Sequence, residues 1–504
     1  MQKIPYPGFI SGTYTNASIS VDGEKTVNFM PEVVESGHGK NNVFLMGTPG
    51  LKKLVSAARA GLDTLPDGPI RGLWAGAGRL FVVAGASVFE VFQDWTYNLL
   101  GNVARVNTPA QIFANGVQLF IVSGGQGYLT EWKNPTDPTS VTLVPVIPAT
   151  TGEYMDTFFI AQTPDSNKFQ ISGSLDGSSW DPLDFASKEG DAYNIISTIV
   201  CQETLTLLGE RSTEAWIDVG GANFPFQRQQ GAVIEQGCGA TFSPARIGQG
   251  MIAWLGYDAR GEGVVWKATG YTPVRISNYC VENALQGYRK AGANLNSAVG
   301  VAKQIGGHQL YELHIPEANN GRGACWVYDD TVSQQLGSPQ WHERLSWSNG
   351  NWAAPWGRYH AYAWGQHIVG DFRNGNLYEE SFDYLDDDGT LIHRMRSCPH
   401  LHDNGNMVFY GAFWVDAMVG GPSNLLDGAG NPRPPMMMRQ SSNDGGYTWG
   451  NEMWASVGMT GQYKARARWN RGGRARDRCD KIIVTDPIRW MLINCEVEVE
   501  EGTA

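Results

Sequence analysis

Gly78-Arg79-Leu80-Phe81-Val82-Val83-Ala84-Gly85, followed by Ser87-Val88-Phe89-Glu90-Val91-Phe92, reads as a turn, a buried strand, a tight glycine turn and a second strand. Aromatic and β-branched residues fill the runs, and glycines stand where the chain must reverse. The figure returns down the chain. Leu119-Phe120-Ile121-Val122 precedes Tyr128-Leu129-Thr130-Glu131-Trp132, and Phe158-Phe159-Ile160-Ala161 precedes Phe169-Gln170-Ile171-Ser172. Related pairs begin at Leu205, Met251, Leu310 and His367. The seven opening strands start at residues 80, 119, 158, 205, 251, 310 and 367, at intervals of 39, 39, 47, 46, 59 and 57 residues. A period of roughly 40–50 residues with several short strands per unit predicts an all-β chain built on a β-propeller of six or seven blades. A lone four-stranded blade leaves both faces in water, whereas a ring of blades buries each face against its neighbour.

The 504 residues exceed what one compact core organises. Residues 1–60 lack the rhythm and are expected to form an N-terminal arm. Residues 61–383 carry the propeller, and residues 384–504 a C-terminal β domain ending in the alternating Cys495-Glu496-Val497-Glu498-Val499-Glu500. Helix is expected only around 281–290. Charged residues make up 17% of the chain, and there are 62 Gly and 18 Trp, a composition suited to turn-dense β structure with much covered surface. The net charge is −12. Residues 441–504 hold nine basic and nine acidic side chains, so the excess lies in residues 1–440, where 29 basic residues face 41 acidic ones. That is a poor grip for nucleic acid. Seven cysteines without a C-x-x-C pair read as reduced thiols of a protein folded in a cytoplasm. The start shows no apolar signal core, and no run is long enough to span a bilayer.

Ser442-Asn443-Asp444-Gly445-Gly446-Tyr447-Thr448-Trp449 fits the S-x-D-x-G-x-T-W turn. Its aspartate ties the hairpin backbone, Gly446 permits the bend, and Trp449 packs beneath it. Residues 174–180 carry a looser version. The turn is common in sugar-active propellers, so a glycan-binding or glycan-cleaving propeller of sialidase type is the alternative reading. No carboxylate pair stands out as acid and base, however, and no enzyme is expected. Phosphate-cradling and nucleophile-elbow motifs do not occur. His393, Cys398, His400, His402 and Asp403 form the densest ligand-type cluster. Pro399 interrupts it and the spacing fits no common zinc module, so a structural loop, without metal or cofactor, is expected. Asp386-Asp387-Asp388-Gly389 reads as a solvated hairpin turn rather than a calcium loop.

Lys464, Arg466, Arg468, Arg471, Arg474, Arg476 and Arg478 form a basic strip, with a local charge of +6 over residues 464–481. Lys464, Arg466 and Arg468 alternate with Ala465, Ala467 and Trp469, which puts the three charges on one strand face. Gly472-Gly473 is expected to turn the chain back and bring the later arginines beside them. Arginine outnumbers lysine six to one over residues 464–478, which suits bidentate pairing with carboxylates across an assembly interface better than a solvated face or a brake on DNA.

Several phrases, in order, resemble one family, the packaged-DNA stabilisation proteins (tail hub or nozzle) of short-tailed bacteriophages. They run from Asn28-Phe29-Met30-Pro31-Glu32 and Gly47-Thr48-Pro49-Gly50-Leu51, through residues 231–238, 307–311, 326–329, 341–344 and 369–378, to residues 442–449 and 466–478. The resemblance implies a virion structural protein, without catalytic residues, that extends the exit channel below the portal and adaptor and helps retain packaged DNA. It implies a hexameric ring, contact with the adaptor, attachment of a distal needle, fibre or spike protein, transient passage of duplex DNA without tight binding, and no contact with membrane.

Overall fold

The computed structural model describes residues 1–54, 64–131, 143–221, 224–258 and 260–502. Trp132 and the expected boundary at residues 60–61 fall outside them. The described residues are overwhelmingly strand. The longest helix, Tyr279–Lys290, starts where the Asn278 side chain accepts the Val281 N–H and ends in Arg289 and Lys290. A second, Asp330–Leu336, is capped by Asp329 and closed by Gly337 in the left-handed region.

Each of the seven repeated runs is the second strand of a unit of four antiparallel strands: Arg79–Ala84, Gln118–Ser123, Phe158–Gln162, Thr204–Gly209, Met251–Tyr257, His308–Ile315 and Gln366–Asp371. The strand that opens each unit is the one before it, nearest the ring axis, and it is short or mixed, as in Gln111–Ala114. Six units are closed four-stranded blades. The unit Val299–Glu343 has the same four-strand make and takes the place between the blades of Met251–Tyr257 and Gln366–Asp371, but it is open in that its outer strand, Gln340–Glu343, pairs onward with Gly23–Val27 instead of ending the sheet. The last blade is completed by Gly50–Lys53, which pairs with Leu377–Ser381 and so closes the ring with N-terminal chain.

The second strands read as unbroken apolar runs because both faces are covered. Leu80 and Val82 pack with Ala361 and Ile368 of the last blade, while Phe81 and Val83 pack with Ile112 and Ile121 of the next. The same division holds around the ring: Phe120 and Val122 meet Phe159 and Ala161, and Leu208 meets Trp254.

The C-terminal domain is a sandwich. One sheet holds Phe29–Val33, Val43–Gly47, Met491–Glu501 and Val408–Ala417, with Gln2–Pro5 beside Met491–Glu501. The other holds Gly23–Val27, Arg394–Ser397, Asp477–Val484, Met436–Ser442 and Met453–Ser456. Between them lie Phe29, Leu45, Phe413, Trp469, Trp490 and Val497. The second sheet runs on into the open unit, through Val27 opposite Glu343, as one eleven-stranded sheet. The expected N-terminal arm is therefore divided between sandwich, weld and last blade. Asn28 sits at the crossing with φ 55°. Its amide donates to the carbonyls of Leu345 and His393, both at 2.7 Å, and accepts the Leu345 N–H at 2.9 Å. A short amide that tolerates the left-handed region while bonding three ways accounts for asparagine here.

Candidate functional site

The basic strip does not form the hairpin face expected of it. Ala467–Trp469 and Gly473–Ala475 both lie antiparallel along Val408–Ala417, Trp469 opposite Phe413 and Gly473 opposite Tyr410. The chain thus continues along one edge past Gly472-Gly473. Arg471 (φ 60°) and Gly473 (φ 81°) make a jog, and the Gly472 N–H reaches the Gly411 carbonyl at 2.9 Å. The strip also splits by burial. Lys464, Arg466, Arg468, Arg471, Arg474 and Arg476 are exposed, but Arg478 begins the next strand and points into the sandwich, 4.2 Å from the Tyr410 ring centre. It donates to Asn443 at 2.7 Å, while its Nε and Nη1 have no partner.

Part of the strip is satisfied within the chain. Arg466 bridges Asp416 and Glu496, each at 2.5 Å, and Glu496 also takes Lys3 at 2.5 Å. Burial opposes the Glu496 charge, but its bonds to Lys3 and Arg466 outweigh that and hold the carboxyl below its ordinary range. Arg468 lies 5.1 Å over the Trp414 ring and bonds Asn470, and Arg476 donates to the Gly405 carbonyl at 2.6 Å. Lys464, Arg471 and Arg474 have no carboxylate partner among the described residues.

In the turn that Arg478 reaches through Asn443, Ser442 donates to Asp444 at 2.7 Å. Asp444 in turn accepts the Thr448 N–H and hydroxyl at 2.9 and 2.6 Å. These bonds hold the Asp444 carboxyl down to about 2. Gly445 and Gly446 have φ of 71° and 93°, and the Lys481 ammonium lies 3.9 Å over Trp449. In the looser version, Asp176 accepts the Ser178 N–H at 3.0 Å, and Trp180 Nε1 donates to Gly177.

The ligand-type residues that cluster in sequence at 393–403 disperse in the fold. His393 stacks on Trp347, Cys398 is buried in the sandwich core, His402 is exposed, and Asp403 accepts from Asn406. His400 instead meets Asp477 at 2.8 Å and the Ile19 carbonyl at 2.7 Å. In the 386–389 turn, Asp386 accepts the Gly389 N–H, and burial raises Asp387 to about 6.

The strongest electrostatic feature has no motif at all. Where the open unit meets the last blade, Lys303 lies 2.6 Å from Glu312 and 2.8 Å from Glu380, and Arg344 bonds Glu380. All four are buried. Burial opposes the carboxylate charges, yet Lys303 and Arg344 outweigh it and hold Glu312 and Glu380 below the ordinary carboxylate range. Four histidines stand in or beside this seam: His314, His342, His360 and His367. Burial lowers all four, His342 to about 3 and His360 to about 4. The only sequence signal was a charge inside a mostly apolar strand, such as Lys303 in Val299–Ile305. Its partners lie up to 77 residues away, so no spacing rule collects them.

Residues 2–384 match the family model described as bacteriophage P22 Gp10, beta-propeller, and residues 393–500 match the one described as bacteriophage P22 Gp10, beta-sandwich. No curated protein matches the chain. Among solved structures, the N-terminal domain of Nup159 is 10% identical and covers 71% of this chain and 99% of its own, with a TM-score of 0.39. The extracellular domain of the one-component system BT4673 from B. thetaiotaomicron is 7% identical over 81% of this chain and 48% of its own, with a TM-score of 0.39. An exo-beta-1,3-galactanase from Phanerochaete chrysosporium is 9% identical over 90% of this chain and 100% of its own, with a TM-score of 0.28. At such scores nothing about this chain follows from the last three.

Proposed function

The chain belongs to the bacteriophage P22 Gp10 family, a structural tail protein of a phage, and from that premise we propose that it is the tail hub: a wall element of the DNA exit channel below the portal and adaptor. The observation that supports this most is the weld between its two domains. Propeller and sandwich share one eleven-stranded sheet, and N-terminal strands are built into both, so the two parts are coupled by backbone hydrogen bonds rather than by a linker. Such a unit transmits load, as a wall confining pressurised DNA must.

Six copies in a ring, the adaptor above, and a needle, fibre or spike protein below are the partners of this reading. Duplex DNA passes without being held, since the acidic balance of residues 1–440 offers phosphate little purchase. The subunit or adaptor contact falls to the unpartnered cations Lys464, Arg471 and Arg474 with Arg468 beside them, while Arg466 and Arg478 serve the chain's own fold. The role is mechanical, with no catalytic step.

The test is Arg471→Glu with Arg474→Glu in the phage. The expected result is a folded protein that fails to join the tail and filled heads that leak DNA. Normal tails that differ only in ejection rate would oppose the interface and favour a DNA contact.

A further inference from the structure

Two places among the described residues bring three metal-ligand side chains within reach of one point. Glu312, His314 and Cys325 lie in the ionic seam, where Glu312 already faces Lys303 at 2.6 Å and Arg344 at 3.5 Å. A divalent cation there would meet two fixed positive charges. His400, Asp477 and Cys479 differ. Their ligand atoms lie within 4.8 Å of one another, and the nearby charges of Asp22, Asp444 and Asp480 are negative.

The strand Asp477–Val484 puts Asp477 and Cys479 on the same side, two residues apart. His400 precedes Leu401–His402, which pairs with Asp477 and Arg478. The hydrogen bonds of His400 narrow what lies between the three. Its Nε2 is 2.7 Å from the Ile19 carbonyl oxygen, which only accepts, so Nε2 carries a proton. Its Nδ1 is 2.8 and 3.0 Å from the two oxygens of Asp477. Nδ1, the carboxylate and the Cys479 sulfur thus face one point, with the other ring nitrogen held by the backbone.

We propose that His400 Nδ1, an Asp477 carboxylate oxygen and the Cys479 thiolate form a binding site for a divalent transition metal of the zinc class. One nitrogen, one oxygen and one sulfur suit such an ion, with water in the remaining position. A ring whose other N–H is held by a backbone carbonyl is the usual arrangement of a metal-bound histidine. Bond lengths of about 2.0–2.3 Å require the nitrogen and carboxylate to part by a few tenths of an ångström and the sulfur to close in. The thiol proton leaves to solvent as the metal–sulfur bond forms. The bound ion would join the His400 segment to the strand from Asp477, with the loop at Ile19 held through His400 Nε2 and the aspartate turn alongside, where Gly445 packs against Asp477 and His400.

The test is cobalt titration of the full chain after treatment with a chelator. The expected result is saturable uptake of about one equivalent with a thiolate-to-cobalt charge-transfer band, displaced by zinc, and a higher unfolding temperature. Cys479→Ser should lose the band, and His400→Ala should lose uptake. If either fails to fold, Asp477→Asn, at a half-exposed position, should weaken uptake. No saturable uptake by the parent chain, or a band that survives all the folded variants, would overturn the site and leave a histidine–aspartate hydrogen bond.

Discussion

Two kinds of contact hold the ring together. Leu80 and Val82 against Ile368, Phe120 against Phe159 and Leu208 against Trp254 are dry and apolar. The contact between the open unit and the last blade is charged, with Lys303, Glu312, Arg344 and Glu380 buried together and histidines around them. Apolar burial is non-directional and scales with area. A buried ionic network is geometry-specific, and its desolvation cost is recovered only when every member is in place. The charged seam also lies where a blade is completed by Gly50–Lys53 and where the neighbouring unit continues into the sandwich. The seam thus accepts a single partner arrangement, whereas these apolar contacts tolerate repacking.

The contrast sharpens most if one charge is removed. Lys303→Met leaves Glu312 and Glu380 with less positive charge than negative and should cost about 3–5 kcal/mol in denaturant unfolding. Glu380→Leu in the same chain should recover part of that loss, and an unaltered midpoint in Lys303→Met would make the seam an ordinary joint. Next, Leu208→Ala in an apolar joint should cost about 2–5 kcal/mol, with no dependence on pH. At the weld, Asn28→Ala removes three buried hydrogen bonds and strains a left-handed residue, for about 1–3 kcal/mol.

Acid should separate the joints further. His342 and His360 are lowered in the fold, so the unfolded chain binds their protons first. Their contribution is complete above the ordinary value of 6.5 and is lost as pH falls through about 4 for His360 and about 3 for His342. Glu312 and Glu380, also lowered, lose theirs once pH drops below the ordinary carboxylate value. Stability should therefore decline from about pH 6.5 downward, and His342→Asn with His360→Asn should flatten the upper part of that slope. The smallest effect is at the surface, where Arg466→Ala should change stability by about 0–1 kcal/mol, less at high salt.

The apolar joints were legible in the sequence because a strand covered on both faces must be apolar at every position, as Leu80 to Ala84 are. The strands nearest the axis were not, since Gln111–Ala114 is only partly covered and carries no such run. The seam was illegible because Lys303 and Glu380 are assembled by closure of the ring. In the basic strip the alternation of Arg466, Ala467, Arg468 and Trp469 was readable. The path after Gly472 was not, because a glycine pair permits a reversal as readily as a jog, and the free edge of Val408–Ala417 favoured the jog. Metal-type residues close in sequence separated, whereas His400 and Cys479, 79 positions apart, came together through strand pairing.

Imaging of assembled tails at a resolution that shows subunits tests the central claim most directly. The account predicts this chain on the tail axis, in a ring with an axial hole, each propeller joined to its sandwich without a hinge and Lys464, Arg471 and Arg474 against a neighbouring subunit or the adaptor. Copies placed off the axis as fibres or spikes, or a propeller and sandwich that swing independently, would contradict it.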